Sequence, residues 1–254
     1  MKNLREATSF VVLFFTCAFI NAQPSKYSTA NAHSHNDYLN NMPFHTAYKN
    51  NFGSIEADIF PVNDILYVAH HKNEILPHRT LKSLYIEPLQ KELAANNSRP
   101  LILLVDIKES YKLSLNLLIK EIEPLKQYLS TPQESKSLII VISGTRPPPA
   151  EYKNYPTYIF FDDNFILKHS TEEWVRVGLI SRPFNKISEW KGEGVINRKD
   201  KKRIRDMIDS VHSAGKPFRF WAAPDTKTSW KLQKKLNADL IGTDRIDELS
   251  NFLR

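Results

Sequence analysis

The chain has 254 residues, of which 41% are hydrophobic and 25% are charged. This composition is that of an ordinary soluble globular protein, and the length suffices for one domain with a large core. The formal net charge of +7 favours phosphate-bearing partners in general. Neither a recognised nucleic-acid-binding motif nor an array of stacking aromatic residues accompanies this charge, so we expect no nucleic-acid partner.

The N-terminal segment has the layout of a secretory signal peptide. Two basic residues precede an apolar run over residues 10–20, and Ala22 supplies a small residue for cleavage. The run is too short for a comfortable membrane span, and a short uncleaved anchor is the alternative. We therefore predict a signal peptide over residues 1–22, a domain over residues 23–254, and a secreted or periplasmic protein. Cys17 lies in the predicted signal, so the mature chain would contain no disulfide.

Apolar runs suited to buried strands alternate with helical segments along the rest of the chain. The predicted strands are a short one ending near His33, then 54–60, 101–106, 137–143, 158–161, 177–181, 217–221 and 239–242, with a further extended piece over 65–70. The predicted helices are 43–51, 84–97, 111–129 with an interruption near Pro124, 200–214, 230–236 and 247–253.

This alternation predicts an α/β fold, a single-domain (β/α)8 TIM-type barrel. A doubly wound open sheet fits the alternation as well. However, no glycine-rich nucleotide loop follows the first strand, and the chain has only seven glycines. The barrel is therefore the better prediction.

Ionisable side chains cluster at the predicted strand ends. Residues two apart in a strand point to the same side, so Glu56 and Asp58 share a face. Two carboxylates on one face are costly to bury unless a positive charge lies between them, and a metal ion is the simplest candidate. In a barrel, the C-terminal strand ends form the active face, and they carry further candidates: His33, His35, His70, His71, Asp106, Lys108, Asp162, Trp221, Asp225 and Asp244. Converging carboxylates suit Mg²⁺ or Ca²⁺, and two histidines on separate strands suit a general base and a general acid.

Several of these motifs together resemble the superfamily of phosphatidylinositol-specific phospholipase C and glycerophosphodiester phosphodiesterase. The shared features are His35-Asn36-Asp37-Tyr38, Glu56-Ala57-Asp58, the later His70, and the acidic-x-Lys element Asp106-Ile107-Lys108. Residues 221–225 (Trp-Ala-Ala-Pro-Asp) and 242–245 (Gly-Thr-Asp-Arg) resemble the last two strand ends of the family. Residues 32–38 and 79–85 are similar to the branch that contains the altered-inheritance-of-mitochondria proteins.

The resemblance implies a metal-dependent phosphoric diester hydrolase that acts on a glycerophosphodiester or a phospholipid headgroup. It implies that His35 is the base that deprotonates the attacking hydroxyl, often one of the substrate itself, and that His70 is the acid that protonates the leaving oxygen. The implied ligands of Mg²⁺ or Ca²⁺ are Glu56, Asp58 and Asp106, with Asn36 as a further ligand. Lys108 would neutralise phosphate charge, and the other expected substrate-binding residues are Trp221 and Asp225.

Three departures from the family patterns bear on these roles. Asn36-Asp37 stands where glycerophosphodiesterases have Arg-Gly, which favours the phospholipase-like side. His71 follows His70 where an aspartate is common, so either histidine is a candidate for the acid. Asp106 replaces the more usual glutamate, and its shorter side chain shifts the metal or admits a water molecule.

Two alternatives from other classes remain at this point. One is a non-catalytic barrel that binds a phosphorylated or sugar ligand. The other is a zinc-dependent hydrolase of non-phosphate substrates that uses His33 and His35 together, although His33 is expected either to support neighbouring site residues or to be structural. The basic run over 198–205 predicts a solvated helix face, and transient contact with an anionic membrane surface is its alternative.

Overall fold

The computed structural model describes residue 24, residues 26–95 and residues 98–254. The predicted signal peptide, residues 1–22, lies outside the described residues. Within those residues, no helix combines the length and the apolar character that a membrane crossing requires.

Nine strands and seven α-helices follow one another closely along the described chain. The strands are β1 (Ala32–Ser34), β2 (Ser54–Val62), β3 (Ile65–Val68), β4 (Leu101–Ile107), β5 (Leu138–Gly144), β6 (Ile159–Asp163), β7 (Val177–Pro183), β8 (Phe218–Trp221) and β9 (Ile241–Thr243). The helices are α1 (His45–Lys49), α2 (Glu87–Ala94), α3 (Tyr111–Glu121), α4 (Thr171–Trp174), α5 (Arg198–Ser213), α6 (Lys227–Lys235) and α7 (Ile246–Leu253).

Eight of the strands form a parallel sheet in the order β8-β7-β6-β5-β4-β2-β1-β9. The two edges of this sheet meet through a single parallel bridge between Arg219 and Leu240, so the sheet is a nearly closed barrel. The extended piece predicted over residues 65–70 is β3, which pairs antiparallel with β2 and is not a barrel strand. The predicted (β/α)8 architecture is therefore confirmed.

The barrel interior changes from apolar to polar toward the C-terminal ends of the strands, as β4 shows. On β4, Ile102 and Leu104 belong to a small buried cluster inside the barrel, and Asp106 follows them in the same period-two series. In register with them, β2 contributes Ser54, Glu56 and Asp58. Residues of opposite parity, such as Leu103, pack in the larger core that also contains helical residues. The apolar layers thus fill one end of the barrel, and ionisable groups occupy its C-terminal end.

The long helix predicted over 111–129 is interrupted, as expected, near Pro124. The α-helix α3 ends at Glu121, and a 3-10 helix, Glu123–Tyr128, continues the segment. Proline has no backbone N–H to donate and disfavours the α conformation in the residue before it, which accounts for the break.

Candidate active site

The carboxylates predicted on β2 and β4 come together at the C-terminal end of the barrel. Glu56, Asp58 and Asp106 each offer one oxygen atom, and these oxygens lie within 4.8 Å of one another. Asp58 and Asp106 are direct neighbours because the two strands pair in register at that level. On the other side of Asp106, a Cβ atom on Gly144 would lie 2.5 Å from the Asp106 carboxylate, so glycine leaves the space that this side chain occupies.

Two cations of the chain neutralise part of this acidic cluster. Arg219 Nη1 lies 3.0 Å from Glu56 Oε2, and both side chains are buried. Burial opposes ionisation, but the Arg219 charge and the hydrogen bond from His33 outweigh it, so the pKa of Glu56 is lowered. Lys108 Nζ lies 2.7 Å from Asp58 and 3.1 Å from Asp106. The Lys108 ammonium group thus offsets part of the negative charge of these two carboxylates.

The donor set fits a hard divalent cation. Asp58 Oδ1 is buried and has no hydrogen-bond partner among the described residues, although unpaired buried oxygens are costly. Burial, reinforced by the Glu56 charge, raises the pKa of Asp58. Mg²⁺ and Ca²⁺ prefer oxygen ligands such as these three clustered carboxylates. An ion bound there would give Asp58 Oδ1 the partner that it lacks among the described residues.

Both predicted catalytic histidines use Nδ1 to contact a carboxylate. His35 Nδ1 lies 2.8 Å from Asp244 Oδ1, and His70 Nδ1 lies 3.2 Å from Asp58 Oδ2. Among the described residues, neither Nε2 atom has a hydrogen-bond partner, so Nε2 remains available to exchange a proton with a substrate. Burial lowers the pKa of His35, but the hydrogen bond to Asp244 and the nearby carboxylate charges give a net rise.

Tyr38 connects several parts of the site, a role that sequence reasoning did not assign to it. Its buried hydroxyl lies 2.7 Å from Asp58 Oδ2, 2.8 Å from Asn36 Oδ1 and 3.2 Å from His70 Nδ1. The predicted ligand Asn36 therefore lies beside Asp58 and adopts a left-handed backbone conformation, with φ of 45°. The only sequence signal for Tyr38 was its place in the motif that follows His35.

The two adjacent histidines have different surroundings. His70 contacts Asp58 and Tyr38 and lines the cleft above the carboxylates. His71 is exposed, and its backbone N–H donates to Glu74 at the start of a 3-10 turn. The geometry thus favours His70 over His71 as the acid.

His33 is fully buried below the site, and both ring nitrogens have protein partners. Nδ1 lies 2.8 Å from Ser54 Oγ, while Nε2 lies 2.7 Å from Glu56 and 2.5 Å from Arg219. Burial and the Arg219 charge lower the pKa of His33 to about 4, so the ring is neutral at physiological pH. This arrangement gives no support to a His33–His35 zinc pair, because His33 has no free nitrogen for a metal.

Asp225, predicted to bind substrate, contacts the end of β9 instead. Its Oδ2 accepts hydrogen bonds from Thr243 Oγ1 and from the backbone N–H of Asp244, and its Oδ1 accepts one from Trp230. It therefore holds the segment whose Asp244 side chain contacts His35. Trp221, the other predicted substrate-binding residue, is half exposed and lines the cleft.

The cleft above the carboxylates has a volume of about 590 Å³ and also contains Asp162 and Arg219. Sequence reasoning assigned no site role to Arg219, although an arginine inside the apolar segment Phe218–Trp221 is a recognisable signal of a buried ionic partner. Its Nε donates to Ser181 Oγ at 2.8 Å, so the side chain crosses the barrel interior from β8 toward β7 and β2.

Asp162 should make the stability of the protein depend on pH. Burial raises its pKa to about 6, although the Arg219 charge acts in the opposite direction. The folded state therefore binds a proton more tightly than the unfolded state, and stability is lost as the pH rises from about 4 to 6. Asp162→Asn should abolish this loss, so we expect the variant to gain about 3 kcal/mol relative to wild type between acidic and neutral pH. Denaturant unfolding of both proteins at each pH measures this, and a pH-independent difference would contradict it.

Comparison with known proteins agrees with this fold. A family model described as an AIM6-like phosphodiesterase domain matches residues 25–100. The chain is 33% identical to the Altered inheritance of mitochondria protein 6 homolog of Arthroderma benhamiae, over 46% of this chain and 47% of that protein. It is 24% identical to Altered inheritance of mitochondria protein 6 of Eremothecium gossypii, over 87% of this chain and 68% of that protein. The alignment thus spans about half the length of the first relative.

A solved structure resembles the whole barrel. The crystal structure of a glycerophosphodiester phosphodiesterase from Parabacteroides distasonis superposes with a TM-score of 0.57 at 13% identity, covering 90% of this chain and 98% of that one. At this identity the likeness concerns the fold. The comparisons confirm the TIM-type barrel and the resemblance to a phosphodiesterase domain over residues 25–100. They also confirm the similarity to the altered-inheritance-of-mitochondria branch.

Proposed function

We propose that this protein is a metal-dependent phosphoric diester hydrolase that acts on a glycerophosphodiester or phospholipid-headgroup substrate. The observation that carries the proposal is the trio Glu56, Asp58 and Asp106 flanked by two histidines, His35 and His70. Neither Nε2 atom has a hydrogen-bond partner among the described residues. A site built only to bind a ligand has no need of a paired base and acid. The match to a phosphodiesterase-domain model over residues 25–100 supports the reaction class.

The proposed roles follow from the contacts of each side chain. Asp244 holds His35 with Nε2 free, so a neutral His35 accepts the proton of the attacking hydroxyl. Asp58 contacts His70 Nδ1 in the same way, so Nε2 is the atom through which His70 would donate a proton to the leaving oxygen. The trio, with Asn36 beside it, would hold Mg²⁺ or Ca²⁺, which supplies charge stabilisation for the phosphoryl oxygens.

Lys108 is placed to stabilise negative charge that develops on the phosphate. Lys108 lies between Asp58 and Asp106 and so adjoins the proposed ion site, where it can offset phosphate charge. Trp221 offers an aromatic surface at the edge of the cleft. We further propose that residues 1–22 are a signal peptide and that the domain over 23–254 acts outside the cytoplasm.

Hydrolysis assays with a panel of glycerophosphodiesters and phospholipids test the proposal. We expect headgroup release in the presence of Mg²⁺ or Ca²⁺, and loss of most of this release on chelation, because three clustered carboxylates lack their neutralising ion. Restoring the ion after chelation should restore the activity. Failure to cleave any diester with either ion, in protein shown to be folded, would refute the assignment.

A further inference from the structure

We propose that Arg146, Arg182 and Lys186 form a second anion-binding subsite, which takes a carboxylate or phosphate group that the substrate carries in addition to its phosphodiester. These three residues are called the basic wall. The inference rests on the proposed function and narrows its substrate class to diesters with an anionic headgroup.

Positive charge in the cleft exceeds what the carboxylate trio pairs with. Of the five cations that line it, Lys108 and Arg219 form ion pairs with the carboxylate trio. Among the described residues, no carboxylate oxygen lies within 4.0 Å of a nitrogen of the three basic-wall side chains. A phosphodiester carries one negative charge, which Lys108 and the proposed ion already offset. The basic wall therefore provides positive charge beyond what the diester requires.

The basic wall lies on a different side of the cleft from the carboxylate trio. Arg146 follows β5, while Arg182 belongs to β7 and Lys186 to the turn Phe184–Lys186 after it. The trio of carboxylates lies on β2 and β4, so the sheet order puts the acidic group and most of the basic wall on different sectors of one cleft. A substrate whose diester lies at the carboxylates can extend its headgroup toward β5–β7.

The guanidinium groups of Arg146 and Arg182 are held in place by hydrogen bonds to the protein. Arg182 Nη1 donates to the carbonyl oxygen of Asn164 at 2.6 Å, and its Nε is buried without a partner among the described residues. Arg146 lies against Gly144 O, at 3.5 Å, and the Tyr152 hydroxyl. Half-buried, fixed guanidinium groups bind carboxylate and phosphate well, because little side-chain freedom remains to be lost.

The acidic residues on this side of the cleft have partners of their own. Asp163 accepts from the Phe165 backbone N–H at 2.6 Å and lies 3.3 Å from His169. Asp162 Oδ2 accepts from Ser143, and the charges of Arg219 and, more weakly, Arg146 act on this carboxylate. Neither forms an ion pair with the basic wall, so the wall is left to attract an anion and to repel a cationic group such as choline.

The test uses glycerophosphoserine and glycerophosphoethanolamine, which differ only by one carboxylate. We expect kcat/KM to be about tenfold higher for the serine compound, since a hydrogen bond to a charged group contributes at least this factor. Arg182→Gln and Lys186→Gln should each remove most of this preference and leave turnover of the ethanolamine compound unchanged. Lys168→Gln, an exposed lysine outside the cleft, is the matched charge control and should keep the preference.

Binding measurements separate this inference from the proposed function. Calorimetric titration with O-phosphoserine and O-phosphoethanolamine needs no turnover, and we expect about tenfold tighter binding of phosphoserine, lost in Lys186→Gln. If no diester is cleaved but this preference remains, the proposed function fails and the subsite stands. Equal binding and equal turnover of each pair would overturn the subsite. So would an equal loss on both substrates in the variants, because the wall would then contact the scissile phosphate.

A parallel assay with lipids identifies whether the anionic headgroup belongs to a soluble diester or to a membrane lipid. Phosphatidylserine and phosphatidylethanolamine in mixed micelles repeat the comparison with membrane-borne headgroups. A serine preference in either the soluble or the micellar pair supports the subsite and shows which form is the substrate. Its absence from both pairs counts against the subsite.

Discussion

Asp58→Asn is expected to abolish divalent-ion binding and to reduce turnover by about a thousandfold. Asparagine has the shape of aspartate but removes one negative charge from the trio and replaces one of the anionic oxygens. Asp58 Oδ1 is the oxygen of the trio that is buried with no hydrogen-bond partner in the part of the chain that the structure describes, so its environment favours a cation. An ion that stabilises transition-state charge contributes several kcal/mol, or about three powers of ten in rate.

Calorimetric titration with Mg²⁺ and with Ca²⁺ measures the first part of this prediction, and steady-state kinetics measures the second. Asp163→Asn is the matched control, since it neutralises a neighbouring buried carboxylate that contacts His169 and the Phe165 backbone and is not part of the trio. That variant should bind the ion as the wild type does. Ion affinity in Asp58→Asn equal to that of the wild type would show that the metal centre is elsewhere.

His70→Ala is expected to lower turnover by about a hundredfold to ten-thousandfold, whereas His71→Ala should leave it near the wild-type rate. The two residues are adjacent, but only His70 contacts Asp58 and lines the cleft. His71→Ala therefore controls for the loss of an imidazole at almost the same place in the chain.

The choice of leaving group separates the role of an acid from that of a base. A diester with a 4-nitrophenolate leaving group needs little protonation, so loss of the acid should cost it about tenfold or less. His35→Ala removes the proposed base and should slow both kinds of substrate alike. If His71→Ala gives the large, leaving-group-dependent loss, the acid is His71 and our assignment is wrong.

The period-two pattern of β2 explains how much of the site was visible in the sequence. Because successive side chains alternate between faces, Glu56 and Asp58 had to share one face wherever the strand lay. Asp106 follows Ile102 and Leu104 on β4 by the same rule, and parallel strands in a barrel align their C-terminal ends. Local periodicity and the barrel prediction therefore suffice to bring the trio together.

Contacts between residues far apart in the chain are not visible in this way. Asp225 was predicted to bind substrate, but in the structure its carboxylate contacts Thr243 and the backbone of Asp244. A strand-end aspartate can face the substrate or the neighbouring loop, and only the path of that loop decides between them. Tyr38 is a similar case, because its hydroxyl meets Asp58 only after β1 and β2 have paired.

The sequence by itself therefore determined the barrel, the ionisable groups at its C-terminal face and the carboxylate trio, because these depend on strand alternation and on the order of elements. The tertiary structure alone decided which partner each ionisable group has. It buried His33 between Ser54 and Glu56 and brought Arg219 across the barrel to Glu56. Within the described residues, it left the basic wall without a carboxylate ion pair. Pairing energies depend on distances of a few ångströms between strands remote in sequence, and no local pattern encodes those distances.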